Sequence, residues 1–133
     1  MKESIKYYSS YLIKGNCPSD SEISLLLKTV NFNIDKDYMD FIKTYDGCEG
    51  CFENGKCILF WKIKDLIKLN PYYDFIKECK SLFFIGSDGS NMGYAFDKQN
   101  GGIISIDFLD IGVQEPIQVA KNFEKFLEYL SKE

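Results

Sequence analysis

The segment from Leu82 to Phe108 constrains the fold of this chain more than any other, because it reads as three strands in succession. Leu82–Ile85 is apolar on both faces, which is typical of a central strand that is covered on each side. Turn-forming residues at 88–91 and 100–102 separate it from two runs in which apolar side chains alternate. The alternating residues are Met92, Tyr94 and Phe96, and then Ile104, Ile106 and Phe108. The segment therefore predicts an antiparallel meander.

Helical patterns precede the meander. Apolar residues at 5–12 have roughly helical spacing, which indicates a short first helix. Ser19 and Glu22 fit a capping box that opens a second helix. Asp35 is placed to cap the start of a third amphipathic helix, and Gly47 is placed to end it. The first third of the chain is therefore predicted to be helical.

One strand and one helix are predicted between the third helix and the meander. Cys48–Gly55 is glycine-rich and acidic, so it is expected to form a loop or a short irregular strand with a turn at its end. Lys56–Trp61 is predicted to be a strand. Asp65–Asn70 is predicted to be a short helix that Pro71 interrupts, with helical spacing resuming over 72–79.

The chain is predicted to close with a helix. Pro116 suits the first position of that helix. Its apolar face would carry Ile117, Ala120, Phe123, Leu127 and Leu130. Helices, then strands, then a closing helix predict an α+β fold. We expect a mostly antiparallel sheet with a central strand meander, covered by N-terminal helices and a C-terminal helix.

Length and charge limit the functions that the chain can have. Its 133 residues are predicted to form a single domain, 1–133, that builds its own core. The net charge of −4 argues against nucleic acid as the direct ligand, since phosphate binding needs clustered Lys and Arg. An acidic chain suits a basic protein partner, because opposite charges speed association. The oligomeric state does not follow from these quantities.

The cytoplasm is the location that the sequence predicts. The first residues lack the apolar core of a signal peptide. No segment approaches the roughly 18 consecutive apolar residues of a membrane-spanning helix. The five cysteines are expected to be reduced thiols there, and their odd number agrees with that expectation.

Catalytic machinery is not predicted. The chain has no histidine, which removes the commonest general base and the commonest metal ligand. It also has no nucleophile elbow, P-loop or dinucleotide-binding motif. The loop from Gly86 to Gly93 is glycine-rich and could bind a ligand, but it lacks the lysine of a phosphate cradle and leads into a strand. We expect a hairpin turn there, no catalytic residue and no cofactor.

The cysteines offer an alternative. Cys48, Cys51, Cys57 and Cys79 supply four thiolates, which is the number of ligands in a structural zinc site. Only the first two are paired in a CxxC motif, and that motif follows a helix, unlike the redox pair of a thioredoxin-like site. Cys57 and Cys79 lie in apolar patterns and are expected to be buried. A small zinc- or thiol-dependent enzyme is therefore the minor alternative.

Several motifs, taken in order, resemble the SUKH superfamily, which includes yeast cell-wall-synthesis regulators and many bacterial toxin-immunity proteins. The resemblance covers about residues 19–131. It rests on residues 34–47, on Ile58–Trp61 with the helix ending at Asn70, on 84–97 with 102–107, and on 123–127. Two positions depart from the family pattern. Asp35 stands where the family usually has proline, and Gly89-Ser90 stands where it usually has two glycines.

The resemblance implies a non-enzymatic domain that binds a protein. Bacterial members are typically encoded beside a toxin, often a nuclease, and neutralise it in the producer's cytoplasm. The implied function is that of an immunity protein for a cognate, basic toxin, and an acidic surface can mimic the phosphate backbone that a nuclease expects. The alternative within the family is a regulatory or scaffolding interaction domain without a toxin partner.

Two sets of residues are predicted to serve the interaction and the fold. The candidates for partner binding are Asp46, Glu49, Glu53, Asp88, Ser90, Asn91, Asp107 and Asp110. The alternative for these carboxylates is an ordinary solvated surface. The residues assigned to the fold are Trp61, Gly86, Gly93 and Tyr94. For Trp61, stacking on a ligand is the alternative to packing at the core or at a sheet edge.

Overall fold

The computed structural model describes residues 1–132, in which five α-helices and a seven-stranded antiparallel sheet form an α+β fold. The helices are α1 Glu3–Ser9, α2 Asp20–Thr29, α3 Lys36–Thr44, α4 Ile63–Asp74 and α5 Phe123–Ser131. The strands are β1 Ile13–Lys14, β2 Cys48–Cys51, β3 Cys57–Phe60, β4 Leu82–Ser87, β5 Met92–Asp97, β6 Ile103–Asp107 and β7 Ile117–Ala120. The strands lie in the sheet in chain order, so each pairing joins sequence neighbours. The predicted fold class is confirmed.

The predicted meander is confirmed as β4, β5 and β6. In its register Phe84 lies opposite Ala95, and Gly93 lies opposite Ile106. The β4–β5 turn contains Gly89 at φ +83°, a left-handed conformation that glycine adopts without steric cost. Alternation along these strands sends successive side chains to opposite faces of the sheet.

Two predicted helix caps are also confirmed. Ser19 Oγ accepts the Glu22 backbone N–H at 3.2 Å, and the Glu22 carboxylate accepts the Ser19 N–H at 3.1 Å. Asp35 Oδ1 accepts the Asp37 N–H at 2.8 Å and so caps α3. The second oxygen of Asp35 accepts the N–H of Phe123, the first residue of α5, at 2.9 Å. One carboxylate therefore joins the starts of α3 and α5.

Buried apolar side chains form one cluster on each face of the sheet. The larger cluster takes side chains from all five helices, and its fully buried members include Ile5, Leu26, Phe41, Phe60, Ile63, Phe96, Phe123 and Phe126. The smaller cluster lies on the opposite face, which we call the outer face, and consists of Cys79, Leu82, Phe84, Ala95, Ile104 and Ile106. Tyr73, Ile76, Phe108 and Ile111 pack on it. The helices therefore cover one face, and a smaller cover protects part of the other.

Asn70 fixes α4 to the sheet. Strand β3 pairs with only the last part of β4, through Phe60 opposite Gly86 and Leu59 opposite Ser87. The buried side chain of Asn70 bonds the unpaired backbone of Phe84, donating to its carbonyl oxygen at 2.9 Å and accepting its N–H at 2.7 Å. The amide thus replaces the missing strand neighbour.

The predicted interruption at Pro71 is wrong, because α4 continues through it to Asp74. Asn70 holds the preceding turn against β4, and the ring of Tyr73 lies 4.6 Å from the ring of Phe84. Proline in a helix interior costs about 3 kcal/mol, and these tertiary contacts outweigh that cost. Of the residues 72–79 that were predicted to resume helical spacing, the first three belong to α4, and a 3₁₀ turn follows at Lys77–Cys79.

The predicted start of the last helix at Pro116 is also wrong. Residues Ile117–Ala120 form β7, which pairs with β6. The helix begins at Phe123, where the side chain of Asn122 accepts the Lys125 N–H at 2.8 Å. Pairing with β6 makes residues 117–120, which include β-branched side chains, a strand. Asn122 supplies the helix start.

The N-terminal region differs slightly from its prediction. The first helix forms but ends at Ser9, so the buried side chain of Leu12 lies beyond it. Strand β1, which was not predicted, follows and pairs with β2. The segment 48–55 forms β2 and a turn with Gly55 at φ +88°, and the strand predicted at 56–61 is confirmed as β3. Among residues 1–132, no helix combines the length and the apolar character that crossing a bilayer requires.

Candidate functional site

A groove on the outer face of β1, β2 and β3 is the candidate site. Ile13, Glu49 and Leu59 lie opposite one another across the three strands, so their side chains share that face. Ile13 is 74% exposed and Leu59 is 37% exposed. The groove has a volume of about 330 Å³. Two apolar side chains with a carboxylate between them are therefore open to a partner.

Trp61 and two lysines shape the rest of the groove. Trp61 follows β3 and stacks on Phe84 with ring centroids 6.2 Å apart, so it marks the border with the covered part of the outer face. Lys14, Lys62 and Asp65 also line the groove. The rim consequently carries charges of both signs around an apolar floor. Such a mixture favours selection of one partner over general adhesion.

Close backbone contacts hold one end of the groove rigid. The Gly15 N–H donates to the Gly47 carbonyl at 2.7 Å, and a Cβ at Gly15 would lie 2.2 Å from the Asp46 carbonyl oxygen. Gly47 itself has φ +86°. The Asp46 carboxylate accepts the Ile63 N–H at 2.8 Å and so caps the start of α4. Asp46 lines the groove, but its carboxylate already serves the fold.

The remaining predicted residues of the β4–β5 turn also serve local structure. Asp88 accepts the N–H groups of Ser90 at 2.8 Å and of Met92 at 3.2 Å. The Asn91 amide donates to Asp107 at 2.9 Å, and Asp107 accepts the Leu109 N–H at 2.9 Å. The bonds from Asp88 and Asp107 to backbone N–H groups are of the kind that Asx turns make, whereas the bond from Asn91 to Asp107 joins two side chains. Both carboxylates therefore take part in the structure of the turn.

The predicted acidic residues therefore do not form one patch. Glu49 projects from β2 into the groove, whereas Glu53 lies beyond it at the tip of the β2–β3 hairpin, in a separate pocket with tyrosines. Asp110 lies in the segment after β6, where its carbonyl accepts two backbone N–H groups. The eight residues therefore do not share one surface.

Comparison with known proteins supplies the family. A family model described as the SMI1 / KNR4 family (SUKH-1) matches residues 17–129. The chain belongs to this family. The suspected resemblance over about 19–131 is thus confirmed. No curated protein matches the chain in a sequence comparison.

In this member of the SMI1 / KNR4 family, three residues assigned to the fold lie where neighbouring atoms leave little free space: Gly86, Gly93 and Tyr94. A Cβ on Gly86 would lie 2.5 Å from the Leu59 carbonyl oxygen, and one on Gly93 would lie 2.3 Å from the Phe108 ring. The ring of Tyr94 packs 5.0 Å from that of Phe126 in the larger cluster. Burial raises the pKa of Tyr94 to about 12.

The cysteines require two corrections. Cys51 and Cys57 form a disulfide, so the expectation of five reduced thiols is wrong. The hairpin places these residues directly opposite each other, with Cα atoms 4.0 Å apart, whereas their spacing in the sequence did not reveal that contact. Cys57 is only partly buried.

The four-thiolate site also does not form. Cys48 lies in the larger cluster and Cys79 in the smaller one, on opposite faces of the sheet. Burial raises the pKa of Cys48 to about 11, which keeps its thiol protonated near neutral pH. Within residues 1–132 no group of three or more Cys, Asp or Glu side chains is arranged to hold a metal ion.

Sequence reasoning missed the apolar part of the groove. Ile13 and Leu59 are far apart in the sequence, and only the unpredicted strand β1 brings them into one row. A signal was present in Ile58–Phe60, where the middle residue of an apolar run must face away from its neighbours. Ile13 and Lys14 also precede the residues that the family model matches. One wall of the groove therefore lies outside the matched region.

Proposed function

We propose that this protein is a non-catalytic immunity protein that binds a cognate, basic bacterial toxin and neutralises it in the cytoplasm of the producing cell. Its family, which includes toxin-immunity proteins, supports the proposal. The net charge of −4 supports a basic partner, because opposite charges speed encounter. A toxin that acts on nucleic acid would be a basic partner of this kind, since a nuclease carries a basic surface for phosphate.

The observation that carries the proposal is the uncovered half of the outer sheet face. Ile13 and Leu59 differ from other exposed apolar residues, such as Leu109 at 80%, because they line one concave surface together. Protein interfaces combine apolar contact area with polar groups, and the groove offers both. Glu49 stands directly between them on the same face, where it can pair with a basic residue of the toxin.

Neutralisation by this surface requires no chemistry. A toxin domain seated on β1–β3 would have its active site blocked or its inactive form stabilised. The rigid backbone at Gly15 and Gly47 supports tight binding, because a preformed surface loses little entropy on association. We therefore expect a stoichiometric complex whose association rate falls as salt is added.

Co-expression tests the function. The gene beside this one would be expressed in a sensitive bacterium with and without this chain, and survival measured together with complex formation by the purified proteins. Protection and a 1:1 complex are the expected results. No complex and no protection would refute the proposal. A complex that gives no protection would favour the regulatory or scaffolding alternative.

A matched pair of substitutions tests the surface. Ile13→Asp places a charge in the groove, whereas Leu109→Asp places the same charge on another exposed apolar residue, outside the groove. The first should weaken toxin binding about tenfold or more, because it removes an apolar contact and buries a charge. The second should leave the affinity unchanged. Equal effects of the two variants would show that the groove is not the interface.

A further inference from the structure

A second pocket lies beside the groove, at the tip of the β2–β3 hairpin. It has a volume of about 300 Å³ and is lined by Tyr7, Tyr8, Tyr11, Phe52, Glu53 and Ser131. Four aromatic rings and one carboxylate thus surround a single space. Tyr7 is 60% exposed and Tyr11 is 38% exposed, so the pocket opens to solvent. The three tyrosines precede the residues that the family model matches.

The aromatic rings of the pocket lie in contact with one another. Tyr7 lies edge-on to Tyr8 and to Tyr11, with centroid distances of 5.4 and 5.9 Å. Tyr11 lies 5.9 Å from Phe52 at an angle of 49°, and Phe52 is only 4% exposed, so it forms the buried floor. The rings that a cation can reach are therefore those of the exposed tyrosines, whose faces attract positive charge.

The polar atoms of the pocket favour a positive ligand. The hydroxyls of Tyr7 and Tyr11 lie 3.4 Å apart, so two phenolic oxygens converge. The neighbouring Tyr7 hydroxyl is the largest cause that raises the pKa of Tyr11, followed by burial and the Glu53 carboxylate. Glu53 therefore contributes negative potential at the hydroxyls. It takes part in none of the ion pairs formed within residues 1–132.

Lysines around the pocket have partners of their own, and the raised pKa of Lys132, which is due first to Glu128, also has a contribution from the nearby phenol of Tyr8. Lys56 lies over the Tyr129 ring at 4.4 Å and donates to the Tyr129 carbonyl at 3.1 Å. Lys132 pairs with Glu128 at 2.6 Å, and Lys6 pairs with Glu3 at 3.4 Å. No cation of residues 1–132 lies over the rings of Tyr7 or Tyr11.

The hairpin tip that supplies one wall is fixed in place. The Phe52 N–H donates to the Lys56 carbonyl at 2.8 Å, and the Cys51–Cys57 disulfide joins the two strands below the turn. The Asn54 amide donates to the Leu130 carbonyl at 2.9 Å, which ties the tip to the end of α5. A wall held in this way needs no ordering when a ligand binds.

We propose that this pocket binds the guanidinium group of an arginine side chain, with the tyrosine rings stacked around it and Glu53 as its counter-ion. Guanidinium is planar, stacks on aromatic rings and offers five N–H donors, which suits a carboxylate with two phenolic oxygens. The ammonium group of lysine is a more strongly hydrated point charge that uses fewer of these features. The inference rests on the proposed function for its source of arginine, a basic toxin.

The test uses a small probe and needs no toxin. N-acetyl-L-arginine amide would be titrated into the ¹⁵N-labelled protein, with the neutral isostere N-acetyl-L-citrulline amide and with N-acetyl-L-lysine amide as comparisons. Saturable shift changes at residues 7–11 and 52–53 with the arginine probe are expected, with weaker binding of lysine and none of citrulline. Non-saturable changes, or equal binding of citrulline, would overturn the inference.

Two substitutions in the pocket and one control outside it test whether arginine binds there. Glu53→Gln should weaken arginine binding about fivefold or more, because a charge-assisted bond becomes a neutral one. Glu115→Gln removes the same charge at an exposed position outside the pocket and the groove, and should leave arginine binding unchanged. Tyr7→Leu should also weaken binding, and its largely exposed ring makes the fold insensitive to the change. Equal effects of Glu53→Gln and Glu115→Gln would show that net charge alone accounts for the binding, and would refute the pocket.

The outcomes separate this inference from the proposed function. Binding of arginine without any toxin complex would refute the immunity function and leave the pocket. A toxin complex of equal affinity for the native protein and Glu53→Gln, with no arginine binding, would refute the pocket and leave the immunity function.

Discussion

The two halves of the outer sheet face differ in what covers them. On β4–β6 the chain covers its own sheet, with Tyr73 and Phe108 stacked 5.7 Å apart above Phe84. Gly93 leaves the space that the Phe108 ring fills. On β1–β3, no part of residues 1–132 covers the outer face as fully, and the side chain of Leu59 remains 37% exposed. The covered half stabilises the fold, whereas the open half is available for binding.

The difference follows from where α4 crosses the sheet. The helix leaves the helical face at Leu66 and reaches the outer face at Tyr73, with Asn70 bonded to the β4 backbone between them. On one side of this crossing, the outer face of β4–β6 is covered by the end of α4 and by residues 108–111. Strands β1–β3 lie on the other side of the crossing. The stability of the protein should therefore depend on the first half and its binding on the second.

The largest effect on stability is expected from Phe84→Ala. Phe84 is fully buried among Tyr73, Phe108 and Trp61, so its loss should lower the free energy of unfolding by about 3–5 kcal/mol. Leu59→Ala, in the open half, should cost at most about 1 kcal/mol. Urea unfolding followed by circular dichroism measures both. Similar losses would remove the distinction between the halves.

Asn70→Leu should have the next largest effect. It leaves the buried N–H and C=O of Phe84 without partners, which should cost about 2–4 kcal/mol. Hydrogen exchange of the Phe84 amide should become faster than that of the Ala95 amide within the meander. Unchanged protection of Phe84 would show that α4 is held by other contacts.

Removal of the disulfide should have a moderate effect. The double variant Cys51→Ser with Cys57→Ser opens a short loop, and the chain-entropy estimate for such a loop is about 2 kcal/mol. The melting temperature of the variant, compared with that of the oxidised native protein, measures it, and the native protein in dithiothreitol should melt like the variant. Cys17→Ser, at an exposed free thiol, is the control and should not change the melting temperature. A stability equal to that of the oxidised protein would contradict the prediction.

The smallest effect on stability is expected from Glu49→Lys. An exposed strand position tolerates such a change within about 0.5 kcal/mol. The association rate with a basic toxin should nevertheless fall, and its dependence on salt should become weaker. Stopped-flow measurements at two ionic strengths test this. A change in stability without a change in rate would assign Glu49 to the fold.

Local signals in the sequence were sufficient for the meander and for the caps at Ser19 and Asp35, because each depends on residues close together in the chain. The state of Ile117–Ala120 and the continuity of α4 at Pro71 depend on tertiary contacts with β6 and β4, which local spacing does not contain. Those contacts decided the structure of both segments.

The candidate site was harder to predict than the fold. Glu49 and Glu53 are neighbours in the sequence, yet the hairpin places them at the groove and at the tyrosine pocket. Asp88 and Asp107 were selected for charge, but one oxygen of each accepts backbone N–H groups, and the other oxygen of Asp107 accepts the Asn91 amide. Charge alone does not reveal which carboxylates are free. That information comes from the turns, which the sequence indicates only in part.

The double role of Asp35 has a consequence for the way the chain folds. Strands β4, β5 and β6 pair across short turns, so this part of the sheet can form from contacts that close quickly. The bond from Asp35 to Phe123 instead spans 88 residues. The start of α5 gains this partner only when α3 lies beside it, and closing so long a segment costs more entropy than closing a local turn. Full anchoring of the last helix therefore depends on the position of a helix from the first third of the chain.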